Sequence, residues 1–179
     1  YNKCNAFLIS PKDTNLWVAA VGGNSISDRL LRSVNGGANW DTVLIRDFGE
    51  YGIPLEMHPD NPDTLYFGGD FSRLWRSTNF GATWAELGSD SVFRSPCDIV
   101  VVPDSANIIL VGDGITGQTI PPGQYYKSVD GGLTFELMHS RTGIAGASEI
   151  PGMACSRQRN STVVGTNWSA GGVQRSLDY

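Results

Sequence analysis

The stretch RSVNGGANW, Arg32 to Trp40, sets a polar turn-former, two glycines and a tryptophan side by side, and the chain repeats the arrangement. It returns as RSTNFGATW (Arg76 to Trp84) and KSVDGGLTF (Lys127 to Phe135), and RSLDY opens a further copy at Arg175. The serines of the copies are Ser33, Ser77, Ser128 and Ser176, so the spacings are 44, 51 and 48 residues. Repeats of this length are the mark of blade arrays, in which each unit is a small antiparallel sheet that buries its faces only against its neighbours.

The rest of each repeat has a pattern of its own. NAFLISPKDTNLWVAAVGG, IPLEMHPDNPDTLYFGGD, CDIVVVPDSANIILVGDG and PGMACSRQRNSTVVGTN each run from an apolar segment through a polar turn to a second apolar segment ending near a glycine. That reads as a strand pair, a and b, followed by strand c leading into the box and strand d leaving it. No window carries a sustained helical period with caps, so the chain is all-β. The blades are expected at about residues 4–47, 52–92, 97–140 and 150–179, the last incomplete.

Each box residue type has a physical task in a tight c-to-d reversal. Asn35, Asn79, Asp130 and Asp178 offer a side-chain oxygen to backbone N–H groups a few residues on. Gly37, Gly81 and Gly132 are expected at positive φ, where a Cβ costs about 1–2 kcal/mol. Trp40, Trp84 and Phe135 are expected to pack over the turn and between sheets. With Ser33, Ser77, Ser128 and Ser176 these residues form a folding device and not a catalytic one.

The pattern Ser-x-Asp-x-Gly-x-Thr-Trp resembles the Asp-box, or BNR repeat, of sialidase-like, sortilin-like and xyloglucanase-like β-propellers. The departures are Asn35 and Asn79 for Asp, Asn39 for Thr and Phe135 for Trp, all of which keep the chemistry of the turn. The resemblance implies a β-propeller of four-stranded blades, with three full blades and most of a fourth, as a fragment of a larger ring. It is specific for a fold and unspecific for an activity.

Composition narrows the functional classes. A net charge of -5, with 17% charged residues, provides no basic field for a phosphate backbone, so nucleic acid is excluded as a partner. No apolar run reaches the roughly 18–20 residues of a membrane helix. Cys4, Cys97 and Cys155 have no metal-type spacing, and neither a metal nor a cofactor is expected. The Gly-, Trp- and turn-rich, lysine-poor composition leans toward an extracellular or cell-surface protein. Two sequons begin at Asn160 and Asn167.

Function is expected at the end of the blades opposite the boxes, where the b–c and d–a loops vary in length and the longest is GDGITGQTIPPGQ. Asp47, Glu50, Tyr51, Asp70, Arg73, Arg94, Asp98, Asp113, His139 and Arg141 fall there. Arg46, Arg94 and Arg141 recur once per unit, and a cluster of them would grip a carboxylate in a forked arrangement, as sialidases do. Asp70 stands at the strand b to strand c junction where xyloglucanase-like enzymes, by resemblance, hold a general acid or base, and Asp113 is expected at the matching point of the next blade. The leading expectation is a binding or scaffold module for a glycan or protein, with the remaining blades of the same or another chain as further partners. The alternative is a glycoside hydrolase, xyloglucanase-like before sialidase-like.

Overall fold

The computed structural model describes residues 3–23, 26–49, 52–88, 93–114, 123–140, 150, 152–158, 161–166 and 172–178. All of its regular structure is β. The first sheet runs β1 (Lys3–Ile9), β2 (Trp17–Gly23), β3 (Ile26–Ser33), β4 (Asp41–Ile45), each strand antiparallel to the one before. The second is β5 (Leu55–Met57), β6 (Leu65–Gly68), β7 (Leu74–Ser77), β8 (Ala85–Glu86), and the third β9 (Pro96–Val101), β10 (Ile109–Asp113), β11 (Gln124–Ser128), β12 (Glu136–Ser140). The fourth has three strands among the described residues: β13 (Met153–Cys155), β14 (Val163–Thr166) and β15 (Val173–Ser176).

The sheets are arranged as propeller blades. Neighbouring blades meet through their first strands, β1 against β5, β5 against β9, and β9 against β13, so these four lie innermost. Short main-chain links reinforce this: the Ile53 amide donates to the Cys97 carbonyl at 2.6 Å, and Ile53 bridges Asp98 in parallel. The core lies between the blades. Ala6, Val18, Ala20 and Leu30 of the first blade pack on Leu55, Leu65, Phe67 and Phe80 of the second, and Tyr66 and Leu74 pack on Ile99, Val101, Ile109 and Val111 of the third. Alternation along β2 puts Trp17 and Ala19 on its other face, where Trp17 meets Phe7 and Trp40 edge-on.

The repeated turn is built around its serine. Ser33, Ser77 and Ser128 are 1% exposed, and the Oγ of each donates to the following Asx Oδ1 at 3.0, 2.9 and 2.8 Å. The same Oγ accepts from the glycine amide four residues on, at 2.9, 2.8 and 2.9 Å. Asn35, Asn79 and Asp130 in turn accept from the amides of Asn39, Thr83 and Thr134. Ser176 and Asp178 form the same first bond at 2.8 Å. Gly81 has φ 75°, and a Cβ there would lie 2.7 Å from Val18 of the preceding blade, so glycine serves the turn and the blade interface together.

A second positive φ precedes that glycine. Gly36, Phe80 and Gly131 have φ 64°, 48° and 75°, and their amides donate to Asn15, Asp63 and Asn107 in the a–b turn of the same blade. The boxes and the a–b turns therefore share one end of the sheets, leaving the b–c and d–a loops at the other. Phe80 is the exception in residue type: its strained backbone drives its ring, 1% exposed, into the first blade interface, where its carbonyl accepts from Arg32 Nε at 2.8 Å.

Candidate functional site

At the b–c and d–a end, the loop after β4 meets the loop after β6. The Asp70 amide donates to the Asp47 carbonyl at 2.7 Å, and the Asp28 amide donates to Asp47 Oδ1 at 3.2 Å. Asp28 is held by Lys3 Nζ at 2.9 Å and accepts from the Phe48 amide. On the other side, Phe71 donates its amide to the Arg94 carbonyl at 3.0 Å, Ser72 bridges Phe93, and Ser72 Oγ donates to the Gly69 carbonyl at 3.0 Å. Asp47, Asp70 and Phe71 are thus fixed to one another by main-chain bonds from three loops.

Between them opens a cavity of about 270 Å³ lined by Ser27, Ile45, Arg46, Asp47, Asp70 and Phe71. Two of these residues carry buried polar atoms without a hydrogen-bond partner, Asp70 Oδ1 and Arg46 Nε. Each such atom costs about 1–3 kcal/mol, which makes the pair a candidate for function rather than stability. The Arg46 side chain lies over the Trp75 ring at 5.2 Å, and only a glycine at position 69 leaves it room, since a Cβ there would come within 2.4 Å of Arg46 Cγ.

Burial raises the Asp70 carboxyl above the usual carboxylate range; a hydrogen bond from Ser95 opposes the shift, and the charges of Asp47 and Asp28 add to it. Asp47 is exposed. One cavity therefore holds a buried carboxyl that keeps its proton more tightly than usual beside an exposed aspartate.

The other sequence candidates are dispersed. Asp113 does not stand at the matching point of the next blade. Counted from the strand residues paired with the box serines, Asp70 follows Leu65 by five positions, whereas Asp113 follows Ile109 by four. One position short of the Asp70 equivalent, its side chain turns into the protein. Its carboxylate, 3% exposed, accepts from the Arg94 and Ser95 amides at 3.1 and 2.7 Å. Burial, opposed by those two bonds, raises its pKa to about 6. Asp113 clamps a loop. Gly114 is the residue equivalent to Asp70 by main-chain bonding, its amide donating to the Ser95 carbonyl at 3.1 Å.

The arginines do not form one constellation among the described residues. Arg46 turns to Trp75 on β7, Arg94 is exposed beside Asp113, and Arg141 lies outside the described residues. Glu50, Tyr51, Asn160 and Asn167 also lie outside them, as do residues 115–122 of the long loop. Arg73 contacts Glu86 at 3.8 Å, and His58 accepts from two amides in the a–b turn of the second blade. Cys97 is buried with its Sγ donating to the Ser95 carbonyl, Cys155 Sγ donates to the Ser156 carbonyl, and Cys4 is exposed; among the described residues no group of three His, Cys, Asp or Glu side chains is placed to hold a metal. No helix of the described residues is long and apolar enough to cross a membrane.

Asp98, expected in a loop at the b–c and d–a end, lies instead inside β9, where it forms with Glu56 an acidic pair that the sequence did not suggest. Glu56 and Asp98 stand on the innermost strands of adjacent blades, at different register positions, and line a cavity of about 200 Å³ with Arg157. Desolvation, then the charge of Asp98, raises Glu56 to about 7. Desolvation likewise raises Asp98 to about 7 although the Met153 and Ile99 amides donate to it. An acid inside an otherwise apolar innermost strand was the available signal.

No family model matches the chain. It is 29% identical over 171 residues to a xyloglucanase of Paenibacillus, covering 75% of this chain and 16% of that protein. It is 27% identical over 124 residues to vacuolar protein sorting/targeting protein 10 of Aspergillus flavus, covering 67% of this chain and 8% of the other. Among solved structures it resembles the GH74 enzyme of Niastella koreensis with a TM-score of 0.71 and 23% identity, over 96% of this chain and 28% of that one. The chain thus spans less than a fifth of the curated relatives and about a quarter of that structure. The fold is a β-propeller, of the kind found in xyloglucanases.

Proposed function

We propose that the chain contributes a glycan-cleaving site of the xyloglucanase type, in a protein acting on polysaccharide outside the cell. Its repeated turns are read as Asp-boxes. The observation that carries this is the cavity at the second blade's b–c corner, where Asp70, with a raised pKa and an unpartnered Oδ1, sits beside the solvated Asp47. The similarity to a xyloglucanase supports the substrate class.

In this reading Asp70 is the general acid. Its carboxyl proton passes to the glycosidic oxygen as the bond to the anomeric carbon breaks, and the leaving sugar departs as an alcohol. Asp47 takes a proton from water as the water oxygen bonds to the anomeric carbon. Arg46 and Ser27 supply hydrogen bonds to sugar hydroxyls, and Ile45 supplies an apolar wall.

The test is release of reducing ends from xyloglucan. Asp70→Asn keeps the shape of the corner and removes its acid, so the rate is expected to fall about a thousandfold while oligosaccharide binding stays within a few-fold. Binding without hydrolysis by the unaltered protein would favour the second reading, a non-catalytic glycan-binding module, which the exposure of the same loop end also supports.

A further inference from the structure

We infer that Phe71 is a sugar-stacking platform that fixes which ring of a glycan occupies the Asp70 cavity, an assignment that rests on the glycan reading above. Two phenylalanines have a left-handed backbone, Phe71 at φ 49° and Phe80 at φ 48°. For a residue with a bulky side chain this costs about 1–2 kcal/mol. Phe80 offsets the strain by complete burial, at 1% exposure, between the first two blades. Phe71 is 69% exposed, so it combines a strained backbone with a large apolar ring held in water. Asp104, the third such residue at φ 60°, is of a type that tolerates this region.

The conformation of Phe71 is imposed by its surroundings. The Arg94 carbonyl accepts its amide hydrogen at 3.0 Å, and the Phe93 amide donates to the Ser72 carbonyl at 2.9 Å. Phe71 lines the cavity together with Asp70, Asp47, Arg46 and Ser27, where Ile45 is also 60% exposed. Two exposed apolar side chains beside two carboxyls and a guanidinium match the two-sided chemistry of a pyranose, whose C–H face is apolar and whose hydroxyl rim is polar. Strain without packing return at a preorganised ligand wall is the pattern of a functional position.

The experiment compares binding of a xyloglucan heptasaccharide, by NMR titration, to the unaltered chain, Phe71→Gly, Phe71→Trp and Asp47→Asn, with a thermal melt of each. Phe71→Gly relieves the φ strain, so it is expected to melt no lower than the unaltered chain and yet to bind about tenfold more weakly. Phe71→Trp is expected to bind within a few-fold. Unchanged binding by Phe71→Gly, with weakened binding by Asp47→Asn, would overturn the platform and leave the glycan reading standing. A lower melt for Phe71→Gly would overturn the claim that the strain has no packing return. Failure of the unaltered chain to bind the heptasaccharide would bring down the glycan reading and the platform together.

Discussion

The second and third blades turn the same corner in two ways. In the second, Asp70 lies past the end of β6, keeps one oxygen without a partner and borders a cavity. In the third, Asp113 is still inside β10, one position earlier, and spends both oxygens on the Arg94 and Ser95 amides. A one-residue difference in register separates a carboxyl available for chemistry from one committed to holding a loop. Similarity of sequence position is therefore a weak guide to role, and hydrogen-bond satisfaction is a better one.

The contrast can be broken most visibly at the reaction. Asp70→Asn is expected to cost about a thousandfold in xyloglucan hydrolysis, about 4 kcal/mol of barrier, whereas Asp113→Asn, in protein that remains folded, should cost less than about tenfold. Next in size is the pair of strained phenylalanines: urea unfolding of Phe80→Ala should show a loss of about 3–5 kcal/mol, against less than about 1 kcal/mol for Phe71→Ala. Between the two aspartates, Asp113→Ala strands two amides and should cost about 2–4 kcal/mol by the same measurement, while Asp70→Ala stays within about 1 kcal/mol.

The last contrast concerns pH. Asp113 is raised to about 6 and Glu56 and Asp98 to about 7, so between the ordinary carboxylate range and those values the folded chain binds more protons than the unfolded one. Stability then falls as pH rises through this window and levels off above it. The urea midpoint is expected to be higher at pH 5 than at pH 8, and Glu56→Gln should reduce that slope. A midpoint that climbs from pH 5 to pH 8 would contradict the shared desolvation of these acids.

The blades were legible because their punctuation is local. An Asx, a glycine and an aromatic at fixed offsets report a turn whatever surrounds them, and their spacing reports the sheet between. The serine's role as a hub was less apparent, since it depends on two amides arriving at one buried Oγ. At the site, Asp70 was readable from its place after strand b, and Asp47 from its d–a loop. The misplacement of Asp113 was a one-residue offset between LYFGGD and ILVGDG, which becomes plain once the strands are aligned on the residues that pair with the box serines. Phe71 went unread because an apolar residue after a strand looks like the start of the next one, and its positive φ arises from bonds to Arg94 and the Asp47 loop. The Glu56 and Asp98 pair depends on two blades standing side by side, which is tertiary information.

The most direct measurement is side-chain carboxyl NMR of the aspartates during titration with a xyloglucan heptasaccharide. The open corner predicts that the Asp70 and Asp47 signals move together with saturable amplitude, while Asp113 stays still. Equal movement of Asp113, or no movement of Asp70 at saturation, would contradict the division between the two corners.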